Sequence, residues 1–462
     1  MKRFTSPIRL SYRISWSSPA LFAVSFAALI ALGTLCLSLP FASVDGEGLS
    51  FIDALFQSTS AVCVTGLSTV DIGARLTLFG ELTIMTLFQL GGLGVMTYSL
   101  LLVTLVQKRG SPDQQDWLAN VFTGDRRLHP RRMLRWIITM TAVAELVGAL
   151  VLWLVFVERE GPLRSFYLAI FHSISAFCNA GFSPFSTSLI GYRYNVTVNL
   201  TMMALIITGG LGFIVTFELW RWITGHRHWF KLLLQTKLVL SVTALLIASG
   251  MLMFLLLEAH NVLKDFSWPS RVLASAFQSV TARTAGFNTV DIGSLTNGTL
   301  LVLILLMFIG AGPGSCAGGV KVTTVGVLML AVLARIRSTA KPQAWSRSVP
   351  GDTIARAAAL LAGGMMIVMI GTLLLQITEL GGLPHSQARG GFLDLLFEAT
   401  SAWGTVGLST GITPSLTTAG RCVIICLMFV GRVGPLTLAA ILLGRRRRRA
   451  EVYYPEEDVM IG

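Results

Sequence analysis

The segment FIDALFQSTSAVCVTGLSTVDIG (51–73) recurs three more times along the chain, and this repetition decides the fold. The other copies read FYLAIFHSISAFCNAGFSPFSTS (166–188), RVLASAFQSVTARTAGFNTVDIG (271–293) and FLDLLFEATSAWGTVGLSTGITP (392–414). They align without a gap over 23 residues. Every copy has a Ser or Thr near its middle, a Gly at its sixteenth position and then a large apolar residue: Ser60, Gly66 and Leu67; Ser175, Gly181 and Phe182; Thr281, Gly286 and Phe287; Ser401, Gly407 and Leu408.

Long apolar runs flank these copies. Eight runs are long enough to cross a hydrocarbon core of about 30 Å as helices; they are 14–44, 82–107, 136–157, 194–217, 238–257, 292–320, 357–378 and 422–444. The copies themselves begin with shorter semi-apolar segments at 51–65, 166–180, 271–285 and 392–406. These segments are too short to cross, so the sequence predicts re-entrant half-helices that are buried in protein or line a cavity.

The predicted unit is therefore a helix, a half-helix, a glycine turn and a second helix. Each second helix carries a further glycine cluster, at 91–94, 209–212, 310–314 and 431–434. An even number of crossings per unit makes the repeats parallel. We predict an all-α integral membrane protein with four parallel repeats and eight transmembrane helices around a central, potassium-channel-like pore; the repeats are 1–110, 111–225, 226–340 and 341–462.

Composition supports a membrane protein and excludes other classes. Hydrophobic residues make up 53% of the 462 residues and charged residues only 13%, too few to cover a soluble protein of this size. The net charge is +13, and 25 of the 36 Lys and Arg residues lie in five segments on one predicted side. The positive-inside rule then predicts cytoplasmic termini in a multi-pass cell-membrane protein. The basic excess is thus explained by topology and by contact with the lipid bilayer, with no nucleic acid partner.

Four half-helices that end at a glycine near one axis favour a cation, because helix C-termini carry partial negative charge. Glycine permits backbone conformations that aim carbonyl oxygens inward, and carbonyl rings can replace the hydration shell of a monovalent ion such as K⁺. No carboxylate ring of the type used for divalent cations is present. The predicted filter residues are Val64, Thr65, Gly66, Asn179, Ala180, Gly181, Thr284, Ala285, Gly286, Thr405, Val406 and Gly407.

The second span of the third repeat, FIGAGPGSCAGGVKVTT (308–324), cannot form a smooth helix because it is rich in Gly and Pro. We predict a break that acts as a gate below the filter; a static kink with Lys321 reaching the cytoplasm is the alternative. Arg432 lies in the last span at the same depth. There it would contact carbonyls of the broken helix or raise a barrier to cations in the pore; the structural alternative is a bond to a helix end or to Glu398. The predicted gate residues are Gly310, Gly312, Gly314, Gly318, Gly319, Lys321 and Arg432.

Three other classes of site have no support in the sequence. The six histidines are scattered and form no metal-ligand spacing. No phosphate-binding glycine loop is present, so we expect no nucleotide to bind this chain itself. A membrane-embedded enzyme, the alternative from another class, would need a clustered nucleophile, acid–base pair or metal site that the sequence does not supply.

The chain resembles the Trk/Ktr/HKT superfamily of potassium transporters, and is most similar to the Ktr-type ion-translocating membrane subunit. The resemblance rests on SAVCVTGLSTVD (60–71), TARTAGFNTVD (281–291), PGSCAGGVKVTT (313–324), GRVGPLTL (431–438) and the tail YYPEEDVMIG (453–462). It covers nearly the whole chain. One departure is Cys316, where a Thr or a similar small polar residue is expected.

The resemblance implies K⁺ uptake driven by the electrochemical gradient, with a four-glycine filter, a gating loop at about 310–321 and a pore arginine at Arg432. It also implies a homodimer with one pore per subunit and a separate cytoplasmic ring of ATP- or ADP-responsive regulatory subunits. Some members depend on Na⁺, so both Na⁺ coupling and a Na⁺-selective or poorly selective conductor stay open. In plant relatives a serine at the first filter position accompanies Na⁺ transport, and the glycine at this position, Gly66, favours K⁺.

Overall fold

The structure is a computed structural model that describes residues 18–109, 130–225, 228–339, 341–388 and 390–434. The basic segments predicted at the N-terminus and at 445–449, residues 110–129, the end of the last predicted span from 435 and the tail at 453–462 lie outside the described residues.

The described chain is mostly helical. Its helices are α1 (Ser18–Leu37), α2 (Phe51–Val62), α3 (Ile72–Arg75), α4 (Leu78–Arg109), α5 (Pro130–Glu160), α6 (Pro162–Cys178), α7 (Val196–Leu211), α8 (Phe213–Ile223), α9 (Leu234–Leu257), α10 (Trp268–Thr281), α11 (Asn297–Phe308), α12 (Val322–Ile336), α13 (Gly351–Leu375), α14 (Gly391–Gly404) and α15 (Thr418–Val433). A π-helical segment, Gln376–Leu380, continues α13. The two short strands, β1 (Gln343–Ala344) and β2 (Arg347–Ser348), form an antiparallel hairpin.

Four short helices, α2, α6, α10 and α14, form the centre of the protein. Over roughly their last eight residues nearly every residue is buried, including Phe56, Phe171, Phe277 and Phe397. Local sequence fixes where they begin. The hydroxyl of Ser50 caps α2 by accepting from the Asp53 amide at 3.2 Å, and Pro162 opens α6 at a position where its missing N–H costs nothing.

Small residues let the longer helices approach these short helices closely. Gly33 of α1, Gly148 of α5 and Gly250 of α9 each face a serine hydroxyl of the following short helix. These serines donate to main-chain carbonyls of the longer helix: Ser58 to Ile30 at 2.7 Å, Ser173 to Glu145 at 2.6 Å and Ser279 to Ile247 at 2.8 Å. Small residues with hydroxyl hydrogen bonds are the usual means of helix association in membranes.

Within the described residues, three helices are long and apolar enough to cross a membrane: Arg132–Glu160, Leu234–Leu257 and Gly351–Leu380. The pair Val196–Leu211 and Phe213–Ile223 passes the same criterion together but is bent by 109°. Shorter apolar helices are Ala23–Leu37, Leu78–Gly94, Asn297–Phe308 and Val322–Ile336. Because these helices expose apolar side chains that water would not tolerate, they are typical of a membrane protein; the count of eight spans stays a prediction.

The structure corrects two predicted boundaries. The run 194–217 is not one continuous span, because the chain bends at Gly212, which has φ 88°. The four half-helices end two to four residues before their predicted ends, at Val62, Cys178, Thr281 and Gly404. They end early because the chain enters a left-handed backbone conformation within the next three residues.

Candidate functional site

The four short helices lead into turns of the same backbone shape. The residue two positions before each key glycine has a positive φ of 58°, 59°, 73° or 51° at Val64, Asn179, Thr284 and Thr405, respectively. The glycines that follow, Gly66, Gly181, Gly286 and Gly407, have φ values of 96°, 73°, 80° and 94°. Residues other than glycine rarely adopt positive φ. The same costly turn therefore occurs four times, and all twelve predicted filter residues lie in these turns.

The four glycines form a closed ring. A Cβ atom added to Gly66 would lie 3.1 Å from the Gly181 Cα, and one added to Gly181 would lie 3.0 Å from the Gly286 Cα. The series continues from Gly286 to Gly407 at 3.1 Å and from Gly407 back to Gly66 at 3.0 Å. Each added Cβ would also press on the carbonyl oxygen before the next glycine, on Ala180, Ala285, Val406 and Thr65 in turn. No side chain fits at these positions without displacing backbone.

Four hydroxyl residues, the Ser or Thr near the middle of each copy, hold the turns through hydrogen bonds, a role that the sequence pattern alone does not assign. The carbonyl oxygens of Ser60, Ser175, Thr281 and Ser401 accept from Thr65 at 2.8 Å, Ala180 at 2.7 Å, Ala285 at 2.9 Å and Val406 at 2.9 Å. Their hydroxyls complete the turns. Those of Ser60 and Ser401 accept from the ring glycine amides at 3.1 Å, and those of Ser175 and Thr281 donate to the carbonyls of Phe182 at 2.8 Å and Phe287 at 2.6 Å.

These bonds correct the gapless alignment of the repeats. In three repeats the amide before the ring glycine bonds to a carbonyl five residues earlier, as Thr65 does to Ser60. In the third repeat Ala285 bonds to Thr281, only four residues earlier. The third repeat therefore has one residue fewer between its hydroxyl brace and its ring glycine, and the helical half of its alignment must shift by one position.

A second set of side chains ties each short helix to the segment that follows its glycine. Buried polar groups on the helices bond to hydroxyls beyond the ring in the pairs Gln57–Ser68, His172–Ser183 (2.9 Å), Gln278–Thr289 (3.3 Å) and Glu398–Thr413. The corrected register aligns these four polar residues with one another. Glu398, which the sequence singled out as a buried carboxylate, thus occupies the position of Gln57 and Gln278.

A cavity of about 350 Å³ lies on one side of the ring and is lined by all four ring glycines. The residues just after the glycines make up most of its wall, which is rich in polar groups such as Ser68, Ser183, Asn288 and Ser409. Asp71 is the carboxylate in this lining. The cavity is a polar vestibule that opens onto the glycine ring.

The break in the third repeat lies on the opposite side of the ring. Helix α11 ends at Phe308 and α12 begins at Val322. The loop between them contacts the turn residues that precede the ring, because a Cβ at Gly318 would press on the Thr405 hydroxyl and lie 2.9 Å from the Gly404 carbonyl. The ring is therefore enclosed between the vestibule and this loop.

The loop is held by its own backbone and by the bend at Gly212. The Gly310 amide donates to the Val320 carbonyl at 2.9 Å, which closes the base of the loop. The Gly312 amide donates to Gly210 at 2.8 Å, and the Phe213 amide donates to Gly314 at 3.2 Å. The bend at Gly212, which was not predicted from the sequence, thus holds the loop in place through these hydrogen bonds. A Cβ added at Gly310 or Gly312 would collide with neighbouring backbone, and one added at Gly314 would lie 2.7 Å from the Phe213 ring. Gly319 has a positive φ of 64°.

Two basic side chains donate to carbonyls of this loop. Lys321 Nζ donates to the Ala317 carbonyl at 2.5 Å and lies 3.4 Å from that of Gly318. The Arg432 guanidinium donates through Nη1 to the Cys316 carbonyl and through Nη2 to the Gly91 carbonyl of α4 at 3.0 Å. Arg432 therefore joins α15, the loop and α4, and its contact is with the loop rather than with Glu398.

Two further ionisable side chains, the buried Arg283 and the half-buried Glu145, bond to side chains of neighbouring helices. The Arg283 guanidinium donates to the Thr243 hydroxyl of α9 at 3.3 Å. The Glu145 carboxylate accepts from Gln89 Nε2 at 3.1 Å. Both groups connect neighbouring helices, which is the structural alternative for a buried ionisable residue.

Carboxylates just beyond two long helices hold the starts of α11 and α15. Glu258 accepts from the Thr296 amide and hydroxyl, both at 2.9 Å, and Glu379 accepts from the Thr417 amide at 3.0 Å and hydroxyl at 2.6 Å. Burial alone would raise the pKa of Glu258, but hydrogen bonds from Thr299, Thr296 and Asn261 hold it below its usual value. A carboxylate at a helix N-terminus is favoured by the helix dipole.

Comparison with known proteins gives a consistent family. The family model of the TrkH cation transport proteins matches residues 21–444. The chain is 38% identical over 451 residues to the Ktr system potassium uptake protein B of Bacillus subtilis, covering 97% of this chain and 98% of that relative. It is 37% identical over 444 residues to the potassium/sodium uptake protein NtpJ of Enterococcus hirae, covering 96% of each.

The fold has a solved counterpart. The crystal structure of the potassium transporter TrkH from Vibrio parahaemolyticus superposes with a TM-score of 0.71 at 20% identity, covering 95% of this chain and 87% of that chain. At this identity the likeness concerns the fold. Together with the family match over most of the chain, it establishes that this protein belongs to the TrkH family of cation transport proteins, a family of transporters and not of enzymes.

Proposed function

We propose that this chain is a K⁺ uptake transporter in which the ring of Gly66, Gly181, Gly286 and Gly407 selects the ion. The closed glycine ring beneath a polar vestibule carries this proposal. The two relatives described above are named for the uptake of potassium and of potassium/sodium, respectively.

Carbonyl chemistry supports a monovalent cation. Most amides of the four turns bond to the helix ends and hydroxyl braces, and the carbonyl oxygens at Thr65, Ala180, Ala285 and Val406 lie beside the ring glycines. Four helix C-termini add partial negative charge to this region. A filter of neutral carbonyls suits K⁺, which exchanges hydration oxygens for protein oxygens at little cost.

The loop between Phe308 and Val322 is proposed to be the gate. It lies across the exit side of the ring and is held by hydrogen bonds that a modest rearrangement could exchange. Lys321 and Arg432 hold positive charge beside it. In this proposal, ions pass when the loop moves, and the two cations raise the barrier when it does not.

The remaining features follow the family. We propose four parallel repeats with eight membrane crossings, cytoplasmic termini, a homodimer with one pore per chain, and regulation by a cytoplasmic nucleotide-binding ring. The Ktr-system relatives support a regulatory partner. Na⁺ dependence is proposed as an open alternative because one relative is named for both ions.

Rubidium uptake in cells that lack other potassium systems tests the filter. Gly407→Ser should reduce Rb⁺ uptake or its selectivity over Na⁺ by about tenfold, because any Cβ there presses on the Thr65 carbonyl and the Gly66 Cα. Gly191→Ser is the matched control, since a Cβ at Gly191 meets nothing within 4 Å. Unchanged rate and selectivity in Gly407→Ser would overturn the filter proposal.

The same assay separates the two ion selectivities and tests the gate. Strong inhibition of Rb⁺ uptake by equal concentrations of Na⁺ would favour a poorly selective conductor.

The proposed gate is tested by a deletion in the same assay. Deleting Gly318 and Gly319 shortens the loop where it meets the fourth turn, and should raise basal uptake. Uptake equal to that of the unmodified chain would contradict the gate.

A further inference from the structure

Three cysteines lie on the side of the glycine ring that faces the loop between α11 and α12. The proposed transport function uses none of them. Cys63 caps the end of α2, Cys178 is the last residue of α6 and Cys316 lies in the loop. All three are fully buried free thiols. The charge of Arg432 lies near all three sulfurs.

Cys178 and Cys316 share one small space, although 138 positions separate them in the sequence. A Cβ atom at Gly92 of α4 would lie 3.0 Å from the Cys178 Sγ and 3.4 Å from the Cys316 Sγ. Because residue 92 has no side chain, both sulfurs pack directly against α4, where the side chain of any other residue would displace them. The Cys178 thiol also donates to the Gln89 Oε1 at 3.0 Å, which orients its sulfur.

Paired thiols prefer a particular class of metal ion. Thiolates are soft ligands that select Cu⁺ and related soft ions, whereas K⁺ prefers oxygen donors. Binding of one monovalent ion M⁺ by two thiols releases two protons and leaves a site, [M(SR)₂]⁻, with one net negative charge. A buried charge of this kind requires a partner of opposite sign.

Arg432 supplies that partner. Its guanidinium donates to the main-chain carbonyl of Cys316 and is itself buried, with 6% of its surface exposed. No carboxylate within the described ranges forms an ion pair with it. One guanidinium and one bis-thiolate metal complex would therefore neutralise each other. Gln89, which accepts from the Cys178 thiol, also donates to the Glu145 carboxylate.

We propose that Cys178 and Cys316 form a binding site for a soft monovalent metal cation, Ag⁺ or Cu⁺, and that its occupation fastens the loop to α6 and blocks transport. The site joins a fixed helix end to the segment between α11 and α12. Only the effect on transport rests on the proposed function; the binding itself is independent of it.

Binding is measured on the full-length purified protein with Cys36, Cys422 and Cys426 replaced by Ser. Titration with AgNO₃ in chloride-free buffer should show one tight Ag⁺ per chain, with release of two protons and an ultraviolet thiolate–metal absorption band. Cys178→Ser and Cys316→Ser should each weaken binding by at least about tenfold. Equal affinity in either variant would overturn the site.

Gly92 offers a test that leaves both thiols in place. Gly92→Ala fills the space beside the two sulfurs and should weaken Ag⁺ binding, while Gly94→Ala is the matched control because a Cβ there meets only the Phe26 ring, at 3.7 Å. Equal binding by both variants would contradict the shared space. This comparison remains informative if a cysteine variant fails to fold, because both glycine variants keep the two thiols.

Transport is measured as Rb⁺ uptake into liposomes that contain the otherwise unmodified protein. One equivalent of Ag⁺ should inhibit uptake, and a thiol chelator should restore it. Cys316→Ser should resist Ag⁺, whereas Cys422→Ser and Cys426→Ser, which change exposed thiols of α15, should not. Tight binding without inhibition would overturn the blocking step, and absence of Rb⁺ uptake before Ag⁺ is added would instead contradict the proposed function.

Discussion

Glu398 provides a sharp test of whether a buried carboxylate serves ion binding or structure. Its carboxylate accepts from the Thr413 hydroxyl and is fully buried. In the other repeats the corresponding residues are Gln57, His172 and Gln278, which make the same kind of bond to the segment beyond the ring. If the role is to brace the turn, an amide should replace the carboxylate, so Glu398→Gln should keep both fold and transport.

The cost of removing the brace follows from its contacts. Glu398→Ala deletes one buried hydrogen bond, at about 1–2 kcal/mol, although Thr413 keeps a bond to Ser409 at 2.9 Å. It also removes one buried methylene, Cγ, at about 0.8 kcal/mol. The total of about 2–3 kcal/mol shifts the equilibrium against the intact turn by about 30-fold or more.

The assay combines thermal stability of the purified protein with Rb⁺ uptake and its inhibition by Na⁺. We expect Glu398→Gln to match the unmodified chain within about threefold, and Glu398→Ala to lose stability and selectivity together. Gln57→Glu is the converse control and should be tolerated. If Glu398→Gln abolished uptake as completely as Glu398→Ala while remaining folded, the carboxylate charge itself would be required and the brace interpretation would be wrong.

Two further predictions concern the loop and the ends of the helices. Arg432→Gln should raise basal Rb⁺ uptake, because it weakens two charge-assisted bonds worth about 1.5–3 kcal/mol each. Arg421→Gln is the control, because it breaks the ion pair with Asp53 and the bond to the Pro414 carbonyl but no bond to the loop. Equal uptake in both would contradict the gate. The pKa of Glu258 lies below its usual value, so its contribution to stability is complete above about pH 4.3 and is lost as the pH falls through the lower pKa of the folded protein. Glu258→Gln should therefore flatten the acid limb of a thermal-stability profile, and an unchanged limb would exclude this group.

The sequence alone determined the parts that rest on local chemistry. Apolar length and the fourfold recurrence of a glycine after a short segment identified the membrane class, the ring glycines and the break after Phe308. These features are legible because each depends on a few adjacent residues: a run too short to cross a bilayer, or a cluster that cannot remain helical. The family membership is now established by the comparisons.

Tertiary structure decided which distant groups meet. The bend at Gly212 is not required by its own GGLG motif, since the similar GGLG at 91–94 lies within the continuous helix α4; it exists where the loop's backbone presses on it. The one-residue offset of the third repeat is fixed by hydrogen bonds, and the FQS triplets at 56–58 and 277–279 agree with it. The choice of Cys316 and Gly91 as partners of Arg432, and the meeting of Cys178 with Cys316, arise from contacts across more than a hundred residues. A linear pattern carries no information about such contacts, because they depend on how the whole chain packs.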